Sequence, residues 1–321
     1  MSEAITNFPK QFSFQPVVEN AGALRPFMRT LICGMGGSHL AADLLPILIP
    51  GRREVVYSDY GLPQFDEGEK AETLVVLSSY SGNTEEVIEA AEQAKALGLN
   101  VAVIAVGGRL LQMAKENNWP FVALPNTGVQ PRSALGLATI GLLALLSETA
   151  AMAEVQSFVN FEGAGLQVKG QALAQRLAGF VPIIYASHRN QALAYNWKIK
   201  FNETGKIPAF YNVIPELNHN EMNGFDYNSQ TRALSEKFCF IFLRDASDLP
   251  MNQKRFEVLA RLYADRGLPV EVIEVSGATP TEKVFSNLLL ADWTALSIAG
   301  NNGAEPEAVP MVEEFKKLIR V

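Results

Sequence analysis

The chain has 321 residues, of which 48% are hydrophobic and 19% are charged, and this composition is typical of a globular protein large enough for two domains. Its 27 basic and 34 acidic residues give a net charge of −7. Because no basic tract offsets this balance, we expect neither nucleic acid nor an anionic membrane as a partner, and an anionic ligand has to be held by local groups.

Short apolar strands alternate with helices through the first half of the chain. This alternation predicts βαβ units around a buried parallel sheet. In chain order, the predicted elements are a strand at Thr30–Cys33, a helix at His39–Ile49, strands at Glu54–Tyr57 and Thr73–Leu77, a helix with Val87, Ile88, Ala91, Ala94 and Leu97 on its apolar face, strands at Val101–Val106 and Phe121–Leu124, and a long apolar helix from about Ser133.

The same pattern starts again after a helical linker region at about Glu148–Gly163. We therefore predict two α/β sandwiches with mainly parallel sheets, one in residues 1–150 and one in residues 151–321. The predicted elements of the second are strands at Pro182–Ala186, Phe238–Leu243 and Val270–Val275, and helices at Asn190–Glu203, Asn252–Asp265, Thr281–Ala299 and Val309–Ile319.

The N-terminus, the longest apolar run and the cysteines indicate the cellular compartment of the protein. Met1–Ile5 lack the basic start and apolar core of a signal peptide, and the apolar run from Ala134 to Leu146 is too short to span a bilayer. Cys33 and Cys239 each lie in an apolar strand-like run, so we predict buried thiols without a disulfide. These features predict a cytoplasmic protein.

The most informative motif is the run Ser79–Thr84, which links a predicted strand to a predicted helix. It supplies the hydroxyls of Ser79, Ser81 and Thr84 at a helix N-terminus, where partial positive charge and unpaired N–H groups favour an anion. A helix N-cap formed by Ser81 or Thr84 explains one hydroxyl, but it does not explain three hydroxyls together with Gly82. We therefore predict a phosphate-binding loop.

A second glycine-rich turn, Gly34–Ser38, follows the first predicted strand. It resembles the start of a dinucleotide-binding fingerprint, but His39 occupies the sixth position, where glycine is expected. Two other interpretations remain open. The turn either only tightens the junction between strand and helix, or it forms a second anion contact with Ser38 as donor, which we favour.

Three further features offer chemistry. Arg132 precedes an almost uncharged helix, where it is either a solvated loop residue, the usual case, or a bidentate ligand for an oxyanion. Glu203 lies at a predicted helix end, and an exposed carboxylate near Lys206 is its simplest interpretation. The run Pro215–Gly224 is too polar for a core element and contains His219, one of three histidines. The spacing of histidines and cysteines does not suggest a metal site.

These motifs make the chain similar to the bifunctional phosphoglucose/phosphomannose isomerase family of the sugar-isomerase (SIS) superfamily. The run Glu216–Glu221, in order with Asn202-Glu203, is its most specific part. The resemblance implies two SIS-type three-layer αβα sandwich subdomains, the first with the phosphate loop and the second with the catalytic residues and a C-terminal lysine helix. The matching segments cover nearly the whole chain: Gly34–Ser38, Ser79–Thr84, Pro131–Gly136, Asn202–Phe210, Pro215–Gly224 and Pro310–Lys316.

The resemblance also implies an activity, the isomerisation of glucose 6-phosphate and fructose 6-phosphate, with mannose 6-phosphate as a further candidate substrate. It implies that Glu203 moves a proton between C1 and C2 and that Arg132 stabilises the enediolate. His219 and Lys316 would assist ring opening and substrate placement. It also implies a homodimer in which the partner subunit's His219 completes the site. It implies that the reaction needs no cofactor and no metal. The implied phosphate ligands are Gly37, Ser38, Ser79, Ser81, Gly82 and Thr84.

The chain departs from the family pattern before its last helix. Glu305–Ala308 stand where relatives carry an Asp-Pro-Thr-Pro-like segment, and the missing hydroxyl leads us to expect better handling of glucose 6-phosphate than of mannose 6-phosphate. Lys317 next to Lys316 leaves the choice of lysine open. The alternative function is a non-catalytic phosphosugar-binding SIS sensor, which would keep the serine loop without needing Glu203, His219 and Lys316 together.

Overall fold

The computed structural model describes residues 1–319. The chain divides into two compact units, which are described separately. The first runs from Thr6 to Phe161, and the second consists of Met1–Ile5 and the chain from Glu162 onward. Each unit contains one β-sheet in which all strand pairs are parallel, so the predicted α/β class with parallel sheets is confirmed.

The core of the first unit is a five-stranded sheet with the strand order β2-β1-β3-β4-β5. Every residue of its third and fourth strands is buried, which is why these segments are continuous apolar runs and not alternating ones. The strands are β1 (Arg29–Gly34), β2 (Val55–Tyr57), β3 (Thr73–Ser78), β4 (Asn100–Ala105) and β5 (Phe121–Ala123).

One predicted apolar position in the first unit is wrong. Leu97 is 51% exposed, because the helix that carries Val87, Ile88 and their buried neighbours ends at Ala96 and Gly98 turns the chain with φ +63°. The helices in this part of the chain are α1 (Ser2–Thr6), α2 (Leu40–Leu48), α3 (Glu67–Glu72), α4 (Glu85–Ala96), α5 (Gly108–Glu116), α6 (Leu135–Leu145) and α7 (Thr149–Gln156).

The region predicted as a helical linker is helical and contributes to the core of the first unit. After α7, a 3-10 turn at Ser157–Asn160 buries Phe158. The Phe158 ring lies edge-on to Phe12, with ring centroids 5.0 Å apart, and also contacts Phe8. Aromatic pairs in this geometry contribute beyond the area they bury, so this segment is anchored by packing and does not act as a free tether.

The second unit has a four-stranded sheet with the order β7-β6-β8-β9. Its strands are β6 (Val181–Ser187), β7 (Phe210–Ile214), β8 (Phe238–Arg244) and β9 (Val270–Glu274). Its helices are α8 (Leu166–Arg176), α9 (Gln191–Glu203), α10 (Arg232–Ser235), α11 (Pro250–Asp265), α12 (Pro280–Asn301) and α13 (Pro310–Leu318).

Both sheets share a feature that positions a ligand site. In each, the first strand along the chain lies between the second and the third. The winding direction therefore reverses there, and the carboxyl ends of the two central strands open the crevice in which open α/β sheets usually bind ligands. The central pair is β1 and β3 in the first unit, and β6 and β8 in the second.

The two cysteines are free and buried, as predicted. Burial raises the pKa of Cys33 and of Cys239 to about 12, so both thiols stay protonated at neutral pH and are poor nucleophiles. Among residues 1–319, no helix combines the length and the apolar character that crossing a membrane requires.

Candidate active site

The two glycine- and serine-rich turns meet at the carboxyl ends of β1 and β3. The Ser38 hydroxyl accepts a hydrogen bond of 2.9 Å from the Tyr80 backbone N–H, and the Ser78 hydroxyl donates one of 2.6 Å to the Ser38 carbonyl. The two sequence motifs are therefore joined into one edge of the first unit. This edge lies where the sheet reverses its winding, the expected place for a ligand.

Within the Ser79–Thr84 loop, the hydroxyls have different environments. Ser79 is fully buried, its hydroxyl lies 2.8 Å from the Thr84 hydroxyl, and it accepts the Gly82 N–H at 3.1 Å. Ser81 is exposed and accepts the Asn83 N–H at 3.2 Å. Thr84 occupies the N-cap position of α4, yet among the described contacts its side chain makes no capping bond to the helix. The simple N-cap interpretation therefore does not account for Thr84.

Gly82 is needed by the shape of this loop. Its φ is +71°, in the left-handed region that residues with a Cβ rarely adopt. An added Cβ would lie 1.8 Å from the Gly107 carbonyl oxygen. The Gly82 carbonyl also accepts the Leu110 N–H at 2.9 Å. The loop is thus pressed against the start of α5, which fixes the direction of its N–H groups.

Arg132 is buried, with 3% exposure, so the interpretation as a solvated loop residue is wrong. It lies in a 3-10 turn at Pro131–Ser133. That turn packs so closely on Gly37 that an added Cβ there would lie 2.8 Å from the Arg132 backbone nitrogen. Gln11 holds the turn from the other side by donating to the Ser133 carbonyl at 2.6 Å. A guanidinium stays charged, so Arg132 adds positive potential at this sheet edge.

His39 follows the first turn and is 6% exposed. Its Nδ1 lies 2.7 Å from Asp43 Oδ2, one helical turn further along. The imidazole therefore fills the position where a dinucleotide-binding turn has glycine to allow close packing of its helix. This arrangement favours a compact anion-binding turn over a nucleotide site.

In the second unit, Glu203 is the last residue of α9, and its helix is firmly anchored. Lys200 and Asp292 of α12 form a buried ion pair at 2.6 Å, and Trp197 Nε1 donates to Asn287 Oδ1 at 2.7 Å. Removing one partner of such a buried pair is strongly destabilising. Because these contacts lie on the last two turns of α9, they fix the helix end that presents the half-buried Glu203 side chain.

The chain leaves α9 through a strained turn. Lys206 has a φ of +56°, a conformation that costs a residue with a Cβ roughly 1–2 kcal/mol. Its ammonium donates to the Glu203 backbone carbonyl at 2.5 Å and also to the Ala308 carbonyl. Lys206 thus lies beside Glu203, but it bonds the backbone carbonyl of Glu203, and Glu203 is half-buried where an exposed carboxylate was predicted. The bond to Ala308 was not predicted.

The polar run Pro215–Gly224 is ordered as two 3-10 turns beside the second sheet. Its internal anchor is Glu221, whose carboxylate accepts from the Tyr185 hydroxyl and from Asn212 Nδ2. Burial raises the pKa of Tyr185 and raises that of the neighbouring Tyr263 to about 12. The phenols therefore stay protonated and act as donors. His219 is exposed on this anchored run.

The C-terminal lysines lie on α13, all of whose residues are exposed. Lys316 pairs with Glu313 at 3.2 Å, a surface contact of little stabilising value. Met311 and Phe315 are 80% and 60% exposed on the same helix. Because Lys316 and Lys317 are both exposed, the choice between them stays open.

The corresponding edge of the second sheet differs in chemistry from the first. Beyond β6 and β8 it buries a network in which the Ser187 hydroxyl donates to Asp248 at 2.6 Å and Lys283 Nζ donates to Asp245 at 2.9 Å. Burial raises the pKa of Asp248, although the bond from Ser187 opposes the shift. Buried acids of this kind repel a phosphate, so the shared topology does not make this edge a second phosphate site.

The structure gathers the predicted residues into two groups. At one edge of the first unit lie the seven residues Gly37, Ser38, Ser79, Ser81, Gly82, Thr84 and Arg132. The second unit carries Glu203, His219 and Lys316 on three elements, the end of α9, the turn after β7 and α13. Sequence reasoning missed Lys206 as a link between two of these elements and Glu221 as the anchor of the third.

Comparison with known proteins identifies the family to which the chain is similar. The family model described as the bacterial phospho-glucose isomerase C-terminal SIS domain matches residues 167–319. The bifunctional phosphoglucose/phosphomannose isomerase of Thermoplasma acidophilum is 30% identical, with 91% of this chain and 90% of that protein aligned. The Aquifex aeolicus protein of the same name is 28% identical, with 99% and 98% aligned.

A solved structure supports the fold. The chain superposes on tagatose-6-phosphate ketose/aldose isomerase from Escherichia coli with a TM-score of 0.65, covering 95% of this chain and 93% of that one. The sequence identity is 17%, so this likeness concerns the architecture alone. It shows that the two chains share a fold.

Proposed function

The chain belongs to the bifunctional phosphoglucose/phosphomannose isomerase family, and on that premise we propose that it interconverts glucose 6-phosphate and fructose 6-phosphate as an aldose–ketose isomerase. The observation that carries this proposal is the joined pair of turns at the reversal of the first sheet, with the buried Arg132 packed against them. Relatives named for phosphoglucose and phosphomannose isomerase activity over the whole chain support the substrate class.

The phosphate is the handle by which the sugar is held. Ser38, Ser81 and Thr84 donate hydroxyls to it, and the first N–H groups of α4 point to the same place. Ser79 acts on the ligand through Thr84, because it is buried and its hydroxyl is used within the loop. If its hydroxyl donates to Thr84 at 2.8 Å while accepting the Gly82 N–H, the Thr84 proton is left for the phosphate. Gly37 and Gly82 allow the close backbone approach.

Glu203 is the base of the proposed reaction. From open-chain fructose 6-phosphate its carboxylate takes a C1 proton, and the electron pair moves into the C1–C2 bond and onto O2. The resulting carboxylic acid then protonates C2, O2 gains a proton and O1 loses one, which gives the aldose. Arg132 stabilises the enediolate charge, the kind of electrostatic term that is often the largest in such reactions.

The remaining roles concern the ring and the assembly. His219 and Lys316 assist ring opening and placement of the sugar, since an imidazole can give and accept a proton and an ammonium stabilises an oxyanion. The proton moves within one substrate, so no redox cofactor is required by the chemistry. We place the enzyme in the cytoplasm as a homodimer, with the partner subunit's His219 at each site.

A coupled assay on fructose 6-phosphate tests the proposed function. We expect the purified protein to form glucose 6-phosphate, and to form mannose 6-phosphate more slowly because Glu305–Ala308 lack the hydroxyl of the relatives. Calorimetry with fructose 6-phosphate runs in parallel. If fructose 6-phosphate binds but neither product forms at any pH or temperature tested, the proposed isomerase activity is contradicted. The alternative function, a non-catalytic phosphosugar sensor, is then supported.

Combining two inactive variants in one dimer tests whether the partner subunit's His219 completes the active site. Glu203→Gln and His219→Ala chains, co-expressed at equal levels, should regain about one quarter of wild-type activity, since half the dimers are mixed and one of their two sites is intact. The measurement is the specific activity of the purified mixture. Activity no higher than the average of the separate variants would show that each His219 serves its own chain.

A further inference from the structure

The Lys206 side chain joins the end of α9 to a segment that lies 102 residues after Lys206 in the sequence. Its ammonium donates to the Glu203 carbonyl at the end of α9 and to the Ala308 carbonyl just before α13. Glu203 is the proposed base, and α13 carries Lys316. A single ammonium therefore links the two elements that present these groups.

Capping of a helix C-terminus is the simplest explanation of a lysine at this place, because a cation near the last carbonyls is favourable. It accounts for the bond to Glu203. It does not account for the bond to Ala308, which belongs to another segment. Capping also does not explain why a lysine occupies a left-handed backbone position, since a φ of +56° favours glycine. Strain of this kind is kept where surrounding contacts require it.

The segment before α13 also pairs through Glu307 with the Met1 ammonium, and Lys206 is the contact that ties it to the end of α9. Every residue of α13 is exposed, so within the described chain the helix has little buried surface of its own to fix its position. Asn302–Val309, which lead into it, are exposed or partly exposed as well. The bond from Lys206 to Ala308 lies two residues before the first residue of α13.

We propose that Lys206 is a positioning residue that sets the placement of α13, and with it Lys316, relative to Glu203. This inference rests on the proposed function. Lys206 acts through backbone carbonyls and takes no proton from the sugar. Loss of the Lys206 ammonium therefore displaces Lys316 and leaves every group that contacts the sugar present. A displacement of about 1 Å in such a site costs up to roughly 10²-fold in rate.

Three variants separate this role from a structural one. Lys206→Met removes the ammonium and keeps the strained backbone, so kcat should fall by roughly 10–100-fold. Lys206→Gly removes the ammonium and relieves the strain, so its kcat should fall as far while its melting temperature is no lower than that of Lys206→Met. Lys206→Arg can donate to both carbonyls and should keep kcat within about tenfold of wild type. The KM for fructose 6-phosphate should change little in all three.

The closing experiment combines these kinetics with hydrogen–deuterium exchange of residues 304–319. We expect faster exchange there in Lys206→Met and Lys206→Gly, and wild-type exchange and kcat in the control Lys169→Met, an exposed lysine of α8. A wild-type kcat in Lys206→Gly, or unchanged exchange in Lys206→Met, would overturn the inference. An inactive wild-type protein would count against the proposed function, and the exchange result would still decide whether Lys206 anchors this segment.

Discussion

Replacing Glu203 by Gln should lower kcat for fructose 6-phosphate by roughly 10²–10⁴-fold and leave KM within about threefold of wild type. Gln has the same shape as Glu but cannot accept the C1 proton. The contacts that hold α9, the Lys200–Asp292 ion pair and the bond from Trp197 to Asn287, do not involve this side chain. The fold and the phosphate turns should therefore be unchanged, and only the proton transfer should be lost.

A matched control is Glu236→Gln, which alters an exposed carboxylate of the second unit whose partner, Arg232, is also exposed. Pairs of this kind contribute little, so the control should keep wild-type kinetics. Circular dichroism and melting temperature confirm that each variant folds. With an active wild-type protein, an unchanged kcat in Glu203→Gln would remove this residue as the base and leave the proposed activity standing.

Gly82→Ala should be the most damaging single-methyl change in the phosphate turns. The left-handed backbone costs a residue with a Cβ roughly 1–2 kcal/mol, and overpacking against the Gly107 carbonyl adds roughly 1–3 kcal/mol more. To relieve this contact the loop has to move. Because Ser81 and Thr84 flank Gly82, the KM for fructose 6-phosphate should rise at least about tenfold, as one lost charge-assisted hydrogen bond costs roughly 1.5–3 kcal/mol.

Gly98→Ala is the control for backbone strain alone. Gly98 also has a positive φ, +63°, but an added Cβ there meets no atom within 4 Å, and the residue lies at the other end of α4. This variant should lose stability and keep the wild-type KM. Urea unfolding and steady-state kinetics measure both quantities, and equal KM values in the two glycine variants would contradict the assigned role of the loop.

The sequence predicted the architecture well where a pattern is local. The apolar runs that became β3 and β4 are buried along their whole length, and the hydroxyl loop lies at the strand end where the alternation predicted it. β7 was not predicted, because it is an edge strand in which only Ile214 is buried. α8 was not predicted either, since Gly170 interrupts its segment and only Gly170, Leu173 and Ala174 are buried in it.

Residues whose roles depend on distant segments were harder to predict. Arg132 is buried because its turn packs on Gly37, almost a hundred residues earlier in the chain, and no local signal reports that contact. Glu221 could be recognised only as part of a polar run, whereas its bonds to Tyr185 and Asn212 come from the second sheet. Lys206 looked like a partner for Glu203, and its bond to Ala308 required the folded chain.

The central claim is that this chain moves a proton between C1 and C2 of a hexose 6-phosphate. The most direct measurement is proton NMR of fructose 6-phosphate incubated with the purified wild-type protein in D₂O. We expect that glucose 6-phosphate appears and carries deuterium at C2, because the proton held by Glu203 exchanges with solvent in part before it is returned. Fructose 6-phosphate that stays unconverted under these conditions would contradict this activity.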